Sequence, residues 1–295
     1  IFSDILKDEL ILNTIESTSS SNNNNKQQEQ SYNQELTFKM DKLSEYIQHK
    51  VSEYNEEYNM NIVCFNEVIY HVLYLYRILQ QERGNALLIG LGGSGRRTCA
   101  SLAAYISNYQ IYTIIVSARY TSIDFREDLK NIYKLAGLEE KPICFIISDD
   151  QLLYNSMLED INNILNSGEI SELFPLDELQ PILDELREKR LSNNKQAIEL
   201  NQDELYSYFI SNVRKNLHII LCMSHIGSTF RNNVRMFPAI VNQTTTQYFA
   251  PWSAQALHTV AYKLLSSINI NETRLLVSLA DVFTQNHMEA QKAAS

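Results

Sequence analysis

The feature of this 295-residue sequence that most constrains its fold is a cluster of glycines directly after a short apolar segment. Five of the eight glycines lie between residues 84 and 95. The apolar segment 86–89 enters the cluster, and a helix-forming segment leaves it after Gly95. Glycines let backbone N–H groups approach a ligand closely, and the positive end of the helix dipole points at the same place. The cluster therefore predicts an anion site, most naturally for a phosphate group.

Short apolar runs separated by helical segments indicate the architecture around that site. The runs lie at 86–89, 111–116, 143–147 and 217–223. Continuous apolar runs of this length are typical of parallel strands that are covered on both faces. The sequence therefore predicts an α/β fold with a wound parallel sheet, in which ligands bind at the carboxyl ends of the strands. From Pro251 onward only helical patterns follow, which predicts a small helical subdomain.

Two phosphate-binding templates compete for the glycine cluster. Gly90, Gly92 and Gly95 satisfy the GxGxxG pattern of dinucleotide-binding folds, which also requires an acidic residue about twenty positions later, at the end of the second strand. The second predicted strand ends at 116, and no acid follows before Asp124. This mismatch disfavours the dinucleotide template.

The P-loop template GxxxxGK[ST] fits the glycines but departs at its two functional side chains. Its lysine position holds Arg96, its magnesium-binding hydroxyl position holds Arg97, and Thr98 lies one residue late. One helical residue turns a side chain by about 100°, so Thr98 would need a shifted loop to reach a magnesium ion. The candidate phosphate-binding residues are Gly90, Gly92, Gly93, Ser94, Gly95, Arg96, Arg97 and Thr98.

A nucleotide-hydrolysing site also needs an acidic pair at the end of a buried strand, one residue for magnesium and one to orient water. The run that ends at Ile147 leads into Ser148, Asp149 and Asp150. In one register Ser148 takes the place of the magnesium carboxylate and Asp149 that of the catalytic acid; a slip of one residue assigns the two roles to Asp149 and Asp150. Both registers stay open, as does the simpler interpretation that the aspartates cap the next helix. With Thr98, Asp149 is a candidate magnesium ligand.

Composition narrows the range of partners. The net charge of −10 argues against a broad nucleic-acid or anionic membrane surface, so phosphate affinity should be local. The four cysteines show no CxxC spacing, which favours free thiols in a reducing compartment. No apolar stretch reaches the roughly 18 residues that span a bilayer. The sequence begins at Ile1 without a methionine, and we expect it to be part of a longer chain.

Four motifs together resemble one known family. They are the run from Gly84 to Arg96 and the segments 158–169, 216–224 and 230–238. In this order they resemble the fourth AAA+ module of dynein heavy chains, of the axonemal type. The resemblance implies a P-loop AAA+ module with a three-layer α/β large subdomain, built on a parallel sheet, and a small all-helical subdomain after it.

Three segments divide the chain on this interpretation. Residues 1–60 are a lead-in, with a polar low-complexity insertion at about 18–34. That insertion cannot bury enough apolar surface to order itself, and we predict it to be a surface loop. Residues 61–250 would form the large subdomain, and residues 251–295 a truncated small subdomain.

The resemblance also implies roles for residues outside the glycine cluster. Ile62 and Val63 would line the adenine of bound ATP or ADP, and Ser224 would be the polar sensor after the fourth strand. Arg231 or Arg235 would reach, in trans, the nucleotide of the preceding module. The alternative for both arginines is a surface position paired with an acid.

As a whole, the resemblance implies a regulatory or structural module of a microtubule-based ciliary motor in the cytoplasm and cytoskeleton, specifically the axoneme. Its expected partners are neighbouring AAA+ modules of the same heavy chain, dynein intermediate and light chains, and microtubules contacted through a stalk that is absent here. The glycines favour nucleotide binding, whereas the lost lysine and displaced hydroxyl predict weak or no hydrolysis. A fully hydrolysing motor site and a nucleotide-free scaffold are the alternatives.

Overall fold

The computed structural model of the chain separates two compact units, residues 1–64 and 65–295. The residues that it describes are 26–193, 201–266, 268 and 273–294.

Helix α1 (Lys26–Tyr58) makes up most of the described part of the first unit. The surface loop predicted for 18–34 is wrong for its second half, because residues 26–34 belong to this helix. Lysine, glutamine and glutamate dominate these nine residues, and all three are good helix formers, so a polar segment without glycine or proline can be helical. Residues 18–25 lie outside the described part.

A five-stranded sheet forms the centre of the second unit. Its strands are β1 (Ala86–Gly90), β2 (Gln110–Tyr112), β3 (Ile143–Ser148), β4 (Leu217–Met223) and β5 (Thr245–Phe249). Their order across the sheet is β2-β3-β4-β1-β5, and all neighbouring strands pair in parallel. The predicted α/β fold with a wound parallel sheet is confirmed.

The described part of the second unit also contains ten α-helices. They are α2 (Asn66–Leu79), α3 (Arg96–Ile106), α4 (Ser122–Tyr133), α5 (Asn155–Ser167), α6 (Leu176–Asn193), α7 (Gln202–Asn216), α8 (Thr229–Met236), α9 (Ala239–Asn242), α10 (Ala254–Ser266) and α11 (Thr273–Ala294). In the described part of the chain, none of the helices combines the length and apolar character that crossing a membrane requires.

Three layers result from the alternation of side chains along the strands. On one face, Phe145 of β3 and Leu221 of β4 share a buried core with Phe125 of α4, Ile161 of α5 and Phe209 of α7. On the other face, α3 crosses β1 to β4, and α2 packs against α3. Beyond the sheet, α10 and α11 pack against each other. These two helices are the helical part predicted after residue 251, while the subdomain boundaries stay predictions.

The central strands match the sequence prediction better than the edge strands do. Strands β3 and β4 are buried along their whole length, as continuous apolar runs predict. The strand predicted for 111–116 ends early, at Tyr112, and the side-chain amide of Gln151 then donates to the carbonyl of Ile114 at 2.7 Å. The side chain of Gln151 therefore takes the place of a neighbouring strand as hydrogen-bond partner of this backbone carbonyl. Strand β5 was not predicted, because an edge strand with two buried side chains has no apolar run.

Candidate functional site

Gly92, Gly93 and Gly95 lie in the loop between β1 and α3, at the carboxyl edge of the sheet, and Gly90 is the last residue of β1. Gly93 and Gly95 have φ angles of 77° and 84°, which residues with a Cβ rarely adopt. A Cβ added at Gly90 would lie 2.8 Å from the carbonyl oxygen of Phe249 in β5. A Cβ added at Gly92 would meet no atom within 4 Å. Gly93 and Gly95 thus allow the backbone conformation of the loop, and the missing side chain of Gly90 lets β5 pack closely. The missing side chain of Gly92 leaves open space at the entrance to the loop.

Two side chains of this loop carry buried polar atoms that have no partner. Within the described part of the chain, Ser94 Oγ and Arg96 Nη1 are buried and make no hydrogen bond. Leaving such a group unpaired costs about 1–3 kcal/mol, and more when the group is charged. Helix α3 begins at Arg96, so the free backbone N–H groups of its first turn lie at the same place. An anion with several acceptor oxygens would satisfy these donors together.

Trp252 lies against the loop and borders a cavity beside it. Its indole N–H donates to the carbonyl of Ser94 at 3.2 Å, and its ring contacts Phe65 edge to face at 5.4 Å between centroids. The cavity has a volume of about 610 Å³ and lies between the glycine loop and the pair α10 and α11. Its lining includes Pro251, Leu257, Val260, Ala261, Leu264 and Phe283. Mostly apolar lining next to a few polar groups is typical of binding sites for small molecules.

The acidic turn after β3 satisfies its own polar groups. Ser148 is the buried last residue of β3, and its hydroxyl donates to Gln151 Oε1 at 3.0 Å. Asp149 follows in a 3₁₀ turn, and its carboxylate accepts the backbone N–H of Ser224 at 2.7 Å and that of Asp150 at 3.1 Å. Asp149 thus ties the ends of β3 and β4 together, and neither predicted register leaves two free carboxylates.

The interpretation that the aspartates cap the next helix is wrong. Helix α5 begins at Asn155, and its N-cap residue, Tyr154, makes no side-chain capping bond. In the acidic turn, Ser148 and Gln151 form a capping box, while the aspartates lie inside the turn. Their carboxylates therefore make contacts at the sheet edge, with the backbone of Ser224 and with Arg97, rather than at a helix end.

Arg97 faces the acidic turn from the first turn of α3. Its Nη1 lies 3.8 Å from Asp150 Oδ2, and both side chains are more than half exposed. Thr98 is half-buried one residue further along the helix. Magnesium in nucleotide-hydrolysing sites is held by hydroxyl and carboxylate oxygens, but here the hydroxyl position carries a cation. No group of three or more His, Cys, Asp or Glu in the described ranges could hold a metal ion. Arg97, and not a hydroxyl, therefore faces the acidic turn from this position.

The other site residues predicted in this unit follow β4. The hydroxyl of Ser224 accepts the backbone N–H of Ile226 at 3.4 Å. Arg231 and Arg235 lie in α8, which buries none of its residues. Among the described residues neither arginine has an ion-pair or hydrogen-bond partner, so the paired surface position is not observed there. Four residues apart on a helix, the two side chains share one face.

The predicted adenine-lining residues belong to the first unit. The side chain of Asn55 donates to the carbonyl of Ile62 at 3.0 Å and accepts its N–H at 2.9 Å, which fixes the chain after α1. Val63 follows directly and is buried. Their contact with adenine stays a prediction.

Sequence reasoning missed an anchor of the segment that follows β2. Asp128 of α4 accepts hydrogen bonds from the hydroxyls of Tyr112 at 2.8 Å and Tyr120 at 2.5 Å. Burial, together with the bond and charge of Asp128, raises the pKa of Tyr112 to about 12 and also raises the pKa of Tyr120. The only advance signal was tyrosine on both sides of an irregular segment, which does not identify the shared carboxylate.

Comparison with known proteins agrees with this geometry. Residues 60–295 match the family model described as the P-loop containing dynein motor region D4. The dynein-1-beta heavy chain of the flagellar inner arm I1 complex from Chlamydomonas reinhardtii is 42% identical over 238 residues, covering 80% of this chain and 5% of the relative. Human dynein axonemal heavy chain 6 is 39% identical over 250 residues, covering 83% of this chain and 6% of the relative. Mouse dynein axonemal heavy chain 2 is 39% identical over 229 residues, covering 77% and 5%. The chain thus spans a small part of the length of these relatives.

Proposed function

Since this chain belongs to the family of P-loop containing dynein motor D4 regions, we propose that it binds adenine nucleotide in a regulatory or structural role and hydrolyses it weakly or not at all. ATP and ADP are the proposed ligands. The family supports nucleotide binding in general, and the loop supplies the specific reasons for it in this chain.

One observation carries the proposal: within the part of the chain that the structure describes, Ser94 Oγ of the glycine loop and Arg96 Nη1 at the start of α3 are both buried without hydrogen-bond partners. Native structures leave few buried polar groups unpaired, and two in one loop indicate a missing acceptor. Phosphate oxygens accept from guanidinium, hydroxyl and backbone N–H groups alike. Gly92 leaves the space for them, because a side chain there would project into the open mouth of the loop.

The cavity beside the loop supports a nucleoside rather than free phosphate. Trp252 and the apolar side chains of α10 and α11 enclose about 610 Å³ directly next to Ser94. Phosphates in the loop would leave a base and ribose within reach of this cavity. The lining of adenine by Ile62 and Val63 is proposed from the family resemblance alone.

Weak hydrolysis follows from the acidic turn. Ser148 provides no carboxylate, the carboxylate of Asp149 is held by two backbone N–H groups, and that of Asp150 faces the Arg97 guanidinium. A water-orienting acid must be free to accept a proton or a hydrogen bond from water. We propose that Ser224 holds Asp149 through its backbone and so keeps the turn in a non-hydrolysing arrangement.

The wider assembly is proposed from the relatives. They are dynein heavy chains, axonemal or of a flagellar arm by name, and this chain would occupy a place beside neighbouring AAA+ modules of such a heavy chain in a ciliary axoneme. The unpaired Arg231 and Arg235 would reach the nucleotide of the preceding module. Intermediate and light chains, and microtubules through a stalk, would be partners of the whole motor.

Nucleotide binding and phosphate release by the full 295-residue chain test the proposal. We expect retained or added ADP and ATP to bind, with no phosphate released above background. Arg96→Ala should weaken binding about ten- to a hundredfold, the effect of losing one or two charge-assisted hydrogen bonds. Arg77→Ala, which removes an exposed arginine of α2, is the matched control and should bind as the unchanged chain does.

Two outcomes would contradict the proposal. Phosphate release that disappears in Asp149→Asn would support the hydrolysing motor site instead. If the folded chain bound neither ADP nor ATP, the alternative of a nucleotide-free scaffold would be supported.

A further inference from the structure

We infer that Arg97 takes the place of magnesium at this site, so that the chain binds its nucleotide without a divalent cation. The inference rests on the nucleotide binding proposed above and goes beyond it by fixing the ligand as the metal-free form of the nucleotide. Arg97 stands where the P-loop template carries the hydroxyl that binds magnesium.

The position of the guanidinium supports this assignment. In a hydrolysing P-loop site, magnesium joins a hydroxyl on the first turn of the helix to a carboxylate at the end of the neighbouring strand. Here Arg97 Nη1, from the first turn of α3, lies 3.8 Å from Asp150 Oδ2 after β3. A side-chain cation therefore already joins the same two elements. Both groups are largely exposed, so the ion pair contributes little to folding and leaves the guanidinium free to turn toward phosphate.

Ser148 and Asp149, two of the groups that a magnesium ion would use, already make hydrogen bonds within the protein. Magnesium demands a near-octahedral set of oxygen ligands at about 2.0–2.1 Å. The hydroxyl of Ser148 donates to Gln151, and the two carboxylate oxygens of Asp149 accept the N–H groups of Ser224 and Asp150. Among the described residues this leaves Thr98, displaced by one residue on the helix side, and Asp150, whose carboxylate already faces the Arg97 guanidinium.

Charge balance leads to the same conclusion. A metal-free nucleotide carries more negative charge than its magnesium complex, and the loop meets it with two arginines, Arg96 and Arg97, at a helix N-terminus. An arginine fork can bind two phosphate oxygens at once, which a single point charge does not do. A divalent cation entering beside the two guanidinium groups would be repelled by both.

The experiment measures the dissociation constant of ADP for the full 295-residue chain by calorimetry, in magnesium and in EDTA. We expect the same value in both buffers. In Arg97→Ser, which restores the template hydroxyl, binding in EDTA should weaken about tenfold or more, and magnesium should recover part of the loss. Arg187→Ser is the matched control: it also removes an exposed arginine–aspartate pair, at 3.5 Å from Asp184, and should bind equally in both buffers.

The outcomes distinguish a failure of this inference from a failure of the proposed nucleotide binding. Binding that requires magnesium in the unchanged chain overturns the inference and leaves nucleotide binding intact. Binding of Arg97→Ser in EDTA at the unchanged affinity overturns the role of Arg97. No binding in either buffer overturns the proposed function itself. The comparison of the two buffers uses the unchanged chain, so a folding defect in the variant does not affect it.

Discussion

The glycine loop and the acidic turn are neighbours at the carboxyl edge of one sheet, yet they differ in whether their polar atoms are hydrogen-bonded. The loop buries Ser94 Oγ and Arg96 Nη1 without partners. The turn pairs Ser148 with Gln151 and ties Asp149 to the backbone of Ser224. The loop is the region where the proposed ligand would bind, whereas Ser148 and Asp149 of the turn already have hydrogen-bond partners within the protein. Under the proposed function, binding and hydrolysis would therefore depend on different sets of hydrogen bonds, and a sequence could lose one and keep the other.

We expect the greatest loss of stability from a substitution in the glycine loop. Gly90→Ala would place a Cβ 2.8 Å from the backbone of Phe249 and should cost about 2–3 kcal/mol in the free energy of unfolding, since β5 must shift. Gly92→Ala is the matched control, because open space surrounds it. Urea denaturation measures both. Equal stability of the two variants would show that β5 does not constrain the loop.

A smaller loss of stability is expected when the hydrogen bonds of the acidic turn are removed. Asp149→Ala leaves the N–H groups of Ser224 and Asp150 without their acceptor and should lower stability by about 1–2 kcal/mol. Asp150→Ala removes one exposed ion pair with Arg97 and should cost less than about 0.5 kcal/mol. If thermal melts rank the two variants in the reverse order, Asp149 is not what joins β3 to β4.

A third substitution, in the loop, should raise the stability of the ligand-free chain slightly instead of lowering it. Ser94→Ala removes a buried hydroxyl that has no partner, so the ligand-free chain should gain up to about 1 kcal/mol of stability. The same change should weaken nucleotide binding by about fivefold through one lost hydrogen bond. Ser107→Ala, whose hydroxyl donates to the carbonyl of Ala103 at 2.8 Å, should instead lose stability. A destabilised Ser94→Ala would mean that Ser94 is already satisfied without ligand.

Sequence patterns predicted the parts of the fold that depend on continuous burial. Strand β4 has the predicted bounds, and β3 extends the predicted run by Ser148, because strands buried on both faces must be apolar throughout. The edge strands carry no such requirement, so β2 was predicted too long and β5 was missed. The helix over residues 26–34 was missed because low complexity was taken as disorder, although its residues favour helices.

The site was predictable in its residues but not in its bonding. The spacing of Gly90 and Gly95 located the loop, and the departures at Arg96 and Arg97 were visible in the sequence. Which atoms would be buried without partners depended on packing around the loop, and the pairing of Arg97 with Asp150 depended on the register of the turn. Neither can be inferred from spacing alone, because both are set by side chains far apart in the sequence.

Trp252 gives the chain a built-in optical reporter. It is the sole tryptophan of the sequence, its indole N–H is bonded to the carbonyl of Ser94, and its ring borders the cavity beside the loop. Its emission therefore comes from one known position, a few ångströms from the unpaired hydroxyl of Ser94. A ligand entering the loop would alter the polarity around that single fluorophore. Occupancy could then be followed in real time without a label, and without a background from any other indole.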